Sequence, residues 1–143
     1  MDDRRPITAI CDDLQRLLTG PLRESDEVDR LAEEVSDHPG GITAVSVLLS
    51  ILEANPEVDW GSPGPVVHAV EKFFRKGYEP LLLESVARMP TSHNLWMVNR
   101  VANGVDSGLR EQFLATMRAA EIREDVTAEV RATARRFLEF QSK

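Results

Sequence analysis

Apolar residues recur along this chain at three- and four-residue spacing, the period of helices that turn one face inward. Over 6–19, Ile7, Ile10, Leu14, Leu17 and Leu18 form such a stripe, with Pro6 suited to a first helical turn and Gly20-Pro21 as a stop. A second helix starts at Ser25, whose hydroxyl is a natural cap, and sets Val28, Leu31, Ala32 and Val35 on one face. Its other face is almost entirely charged. His38-Pro39-Gly40-Gly41 breaks the chain. The helix that follows carries Ile42, Val45, Val47, Leu48, Leu49, Ile51 and Leu52, and with almost no polar side it is expected to be enclosed by neighbours.

Residues 54–65 are dense in turn formers and read as a loop. A helix is then expected over 65–76, with Val66, Val67, Val70, Phe73 and Phe74 inward and Gly77 as its cap. A shorter one over 79–89 stops at Pro90, and Thr91 caps the next, over 92–103, whose stripe is Leu95, Val98, Ala102 and Val105. Ser107 opens a helix with Leu109, Phe113, Leu114, Met117 and Ala120 apolar. The last, over 126–141, faces Val130, Ala134, Phe137, Leu138 and Phe140 to the body and Arg131, Arg135 and Arg136 mainly away from it. The pattern predicts an all-α fold of about eight helices in one domain over 1–143. Its later helices read as stacked antiparallel pairs, α-solenoid-like or a compact bundle, without a repeat of fixed period.

Composition narrows the class. The chain has 143 residues, 42% hydrophobic and 29% charged, the balance of a globular domain able to bury a core without metal or disulfide. No apolar run approaches the roughly 20 residues of a membrane span. The acidic opening is not a secretory signal, so a cytoplasmic protein is expected. The net charge of −7 is uneven: residues 1–60 hold 14 acids against 5 bases, a balance of −9, and the remainder carries +2. Such a surface repels phosphate backbones and anionic lipid, which disfavours nucleic acid and membrane as partners, and it attracts a basic protein. The residues expected to meet that partner are Glu24, Asp26, Glu27, Asp29, Glu33, Glu34 and Asp37, followed by Asp59 and Trp60. Nothing in the pattern specifies an oligomeric state.

Catalytic signatures are missing from the sequence: there is no phosphate-binding loop, dinucleotide fingerprint, nucleophile elbow or His-Glu-x-x-His. No cofactor is implied. Cys11 beside Asp12 and Asp13 is expected to be a structural cysteine with a raised thiol pKa. His38, His68 and His93 lack metal-ligand spacing. Gly61-Ser62-Pro63-Gly64-Pro65 reads as a rigid loop, because its two prolines remove donors that an anion cradle needs. Trp96, Asn99, Arg100 and Asn103 fall at i, i+3, i+4 and i+7, a polar and aromatic stripe beside the apolar one. Two readings of it stay open: a staple between helices, or a partner-facing surface in which Trp96 and Arg100 supply the contact. A ligand-binding or enzymatic bundle built on His68, Glu71 and His93 is a further alternative.

Two segments also carry a resemblance. Asp59-Trp60-Gly61-Ser62-Pro63-Gly64-Pro65-Val66-Val67-His68, with Glu71, Phe73 and Gly77-Tyr78-Glu79, is the first; Pro90-Thr91-Ser92-His93-Asn94-Leu95-Trp96-Met97-Val98-Asn99-Arg100 is the second. Together, over roughly 56–105, they resemble small all-helical bacterial immunity proteins of polymorphic-toxin and contact-dependent inhibition systems. The resemblance implies a non-catalytic cytosolic antidote that binds a cognate toxin domain tightly and covers or distorts its active site. It transfers no catalytic residues. Without it, the helix-pair pattern alone points to a HEAT-like helical-repeat scaffold module.

Overall fold

Helix formation follows the apolar stripes, and the termini follow the caps. The computed structural model describes residues 4–19, 26–56, 58 and 64–142; among them are eight α-helices, one 3₁₀ turn and no strand. They are α1 (Ile7–Thr19), α2 (Asp26–Asp37), the 3₁₀ turn (Gly41–Ala44), α3 (Val45–Ala54), α4 (Pro65–Glu71), α5 (Tyr78–Arg88), α6 (Ser92–Ala102), α7 (Ser107–Glu121) and α8 (Ala128–Gln141). The chain forms two compact units, Met1–Leu81 and Leu82–Lys143, whose boundary falls within α5.

In the first unit α1 packs on α2 and α3, and α4 packs on α2 and α3. The stripe of α2 is buried throughout, at Val28, Leu31, Ala32 and Val35. Ile10 and Leu14 of α1, Leu48, Leu49 and Leu52 of α3, and Val66 and Val70 of α4 join it in the core. Each such leucine stabilises the fold by about 1.5–3 kcal/mol relative to exposure. As its composition predicts, α3 buries nearly all its apolar side chains, with Val47 half-buried.

The second unit packs α6, α7 and α8 against one another. Leu82, Val86, Leu95, Val98, Phe113, Met117 and Ala134 are buried within it. Three of its helices begin on side-chain caps. Thr91 and Asn94 form a reciprocal capping box, Asp106 accepts from the Leu109 N–H, and Thr127 accepts from the Val130 N–H.

Three expectations need correction. The helix expected over 65–76 ends at Glu71. Residues 72–77 form turns in which Arg75 (φ 65°) and Gly77 (φ 107°) are left-handed, and the Glu79 carboxylate holds the reversal by accepting the Arg75 N–H at 2.5 Å. The reversal still sends Phe73 into the core. The helix expected from Ile42 begins instead as the 3₁₀ turn, tightened because Gly41 sits against the end of α2. Phe140, expected to face the body, is 56% exposed, since α8 buries only Thr133 and Ala134 completely. The caps and stops expected at Ser25 and Gly20-Pro21 lie outside the described residues.

Candidate functional site

The side of α2 opposite its buried stripe is charged and exposed. Asp26, Glu33 and Asp37 stand at i, i+7 and i+11, within a sector of about 40° around the helix axis and opposite the buried stripe. All three are exposed, and no described cation pairs with them. Their neighbours are treated differently. Arg30 lies 3.8 Å from Glu27 and 3.4 Å from Glu34. Arg5 bridges Glu34 and Asp13, each at 2.7 Å, tying the segment before α1 to α2. Asp29 is half-buried at the edge of the core. The acids expected to act together thus divide into a paired set that fixes α2 and an open row of three. Glu24, Asp59 and Trp60 lie outside the described residues.

A cleft of about 390 Å³ lies at the C-terminal end of α2, lined by Arg4, Asp37, His38, Ile42, Lys72 and Lys76 among others. The Lys72 ammonium donates to the Ser36 carbonyl, one of the last carbonyls of α2, where positive charge suits the helix dipole. Both nitrogens of His38 are engaged: Nδ1 accepts from the Gly40 N–H at 2.9 Å, so Nε2 carries the proton and donates to the Arg5 carbonyl, also at 2.9 Å. Sequence reasoning passed over this cluster because its cations are scattered across 4, 72 and 76. The packing of α4 on α2 brings in Lys72 and Lys76, and the Arg5 carbonyl held by His38 brings in Arg4.

In the second unit the stripe on α6 divides. The Gln141 side-chain amide Nε2 donates to Asn99 Oδ1 at 2.8 Å, to the Asn99 carbonyl at 3.2 Å and to Asn103 Oδ1 at 3.1 Å. Asn99 and Asn103 are therefore staples between α6 and α8. Trp96 is half-buried, and the exposed Arg100 guanidinium stacks 4.8 Å from its ring centroid, leaving a cation–aromatic pair at the surface. His93 is half-buried on α6, whereas His68 is exposed on α4 in the other unit. The larger groove between α7 and α8, about 600 Å³, has Leu114 and Leu138 between arginine rims. Those arginines are occupied: Arg110 donates to the Gln141 carbonyl and Oε1, Arg135 pairs with Glu121 at 3.0 Å, and Arg118 lies 3.8 Å from Glu111.

Burial raises the Cys11 thiol pKa, and the adjacent Asp12 charge adds to the effect, the direction expected from sequence. Hydrogen bonding from Arg123 holds the Asp125 carboxyl below its ordinary range. Among the described residues no group of three or more His, Cys, Asp or Glu is placed to hold a metal ion, and no helix is long and apolar enough to cross a membrane. Compared with known proteins, the chain matches no family, no curated protein and no solved structure.

Proposed function

We propose that this chain acts by binding a basic protein domain through the open acidic row of α2, without catalysing a reaction. The row of Asp26, Glu33 and Asp37 carries the reading. It spans about 16 Å along a helix whose opposite face is fully buried, so the charges are presented on a rigid support. Charges that no internal cation neutralises are the ones that steer a partner and raise the association rate. The motif resemblance supplies the kind of partner: a bacterial toxin domain that the chain neutralises in the cytoplasm. A toxin acting on nucleic acid has a basic substrate cleft, which this row complements. The stacked pair of Trp96 and Arg100 offers the second unit's contact, of the residue types that dominate interface energies.

The test is co-expression with the protein encoded beside this gene. Restored growth and a stable complex are the expected result. A toxic neighbour that is neither bound nor neutralised rejects the antidote reading.

A further inference from the structure

The cleft at the end of α2 has a charge opposite to that of the unit around it. Residues 1–81 carry 16 acids and 8 bases, yet Arg4, Lys72 and Lys76 meet at this one cleft, with Asp37 the acid among its lining residues. Part of that charge serves the fold, since Lys72 satisfies a carbonyl of α2 with one of its three N–H donors. Two donors remain. Lys76 is exposed, and no described residue pairs with it. His38 fixes the wall without spending a cation, pinning the Arg5 carbonyl and so holding the segment that carries Arg4. The remaining lining is apolar: Ile42 is half-buried, Phe73 is 8% exposed, and Pro39 stands at the edge.

We propose that this cleft is a binding site for a small organic anion, a carboxylate or phosphate head on a compact apolar body. The volume lies within the usual range for small-molecule sites. Lys72 and Lys76 supply the head group's donors, Arg4 adds positive charge, and Ile42 and Phe73 supply the surface for the body. The surroundings select against a polyanion. A nucleic acid or an acidic chain leaving the cleft would run along Asp37 and Glu33, whose field reaches about 8 Å at physiological ionic strength. A ligand whose charge sits at one end avoids that cost. The site draws its ligand contacts from cations and apolar surface and shares only Asp37 with the acidic row, so Lys76→Gln tests it without touching the protein-binding reading.

The experiment is a titration of the whole chain, followed by amide chemical shifts at low salt, with phenyl phosphate, benzoate, inorganic phosphate and phenol as probes. Phenyl phosphate and benzoate are expected to give saturable shifts centred on Ile42, Phe73 and Lys76. Inorganic phosphate should bind more weakly and phenol not at all. Comparison of the two aromatic anions distinguishes a phosphate head from a carboxylate. Lys76→Gln should weaken binding about threefold and Arg4→Gln with Lys76→Gln about tenfold, as exposed charge contacts of up to about 1 kcal/mol each require. Asp37→Asn should strengthen binding about threefold, a gain that damage to the fold does not produce. Shifts that do not saturate, a midpoint indifferent to Lys76→Gln and Asp37→Asn, or equal binding of phenol would each overturn the proposal.

Discussion

At the scale of single residues, Gly41 is the position where the fold is least forgiving. A Cβ there would stand 2.6 Å from the Phe73 ring and closer still to the Val35 carbonyl oxygen. Two helices and a core aromatic meet at that point, and the contact with backbone cannot be relieved by a rotamer change. Gly41→Ala is expected to cost about 2–3 kcal/mol, the range of overpacked cores, seen as a lower urea midpoint with an unchanged slope. A midpoint equal to the parent's would show that the 3₁₀ turn shifts freely. Cys11 gives a pH prediction. Its folded-state pKa is raised above the ordinary 9.0, so the folded chain favours the protonated thiol. That contribution is complete below the unfolded pKa and is lost as pH rises through the folded value. Alkylation at pH 8 should accordingly be slower for the native chain than for the urea-unfolded one, and equal rates would refute the shift. The thiol's direction was readable from Asp12 in the sequence. Gly41 was not: the sequence marks it as part of a turn, and only the packing of α2 against Phe73 shows why a methyl group has no room.

At the scale of elements, the start of α6 is held by more than its cap. Asn94 is fully buried; Oδ1 accepts from the Thr91 N–H at 2.7 Å, while Nδ2 donates to the Met89 carbonyl at 2.9 Å and to Ser85 Oγ at 3.2 Å. It closes the capping box and ties α6 back to α5 at once. Removing it forfeits a cap worth about 1 kcal/mol and strands buried polar partners at about 1–3 kcal/mol more. Asn94→Ala should therefore lose about 2–4 kcal/mol, whereas Thr91→Ala, which leaves the amide's other bonds in place, should lose about 1 kcal/mol. Thermal or urea unfolding of the two variants checks the order, and a reversal would mean that the hydroxyl, not the amide, organises the turn. Elements with strong apolar stripes were legible in sequence, as were stops at Pro90 and caps at Thr91. Two features were not. The end of α4 depends on Glu79 reaching back to the Arg75 N–H, and the exposure of Phe140 depends on how much of α8 its neighbours cover. Both are set by tertiary contacts that a stripe does not encode. The same limit applied to the candidate site, where spacing showed that Trp96, Asn99, Arg100 and Asn103 share a face but not that Gln141 claims the two asparagines.

At the scale of the whole molecule, charge is the property that links fold to function. The excess of acids over bases in residues 1–60 leaves more negative charge than internal pairing consumes, and Asp26, Glu33 and Asp37 are where the described remainder gathers on α2. Net charge of one sign destabilises a compact unit by self-repulsion; Asp26 in the first turn of α2 suits the helix dipole, whereas Glu33 and Asp37 have no described ion pair and are available for a partner. Glu33→Lys with Asp37→Lys reverses the row without removing any described side-chain bond or buried surface, and the variant should stay folded. Its association with a basic partner should slow by about tenfold or more at low salt, because steering of this kind raises on-rates by about 10–1000-fold. Dissociation should change far less, and the gap between parent and variant should close as salt rises and the field is screened. Trp96→Ala supplies the contrast: it removes packed contact rather than field, so it should speed dissociation and leave the salt dependence intact. Stopped-flow association and surface-resonance dissociation rates measure both. If the reversal leaves the association rate unchanged while Trp96→Ala abolishes binding, recognition resides in the second unit, and the acidity of the first is a matter of solubility alone.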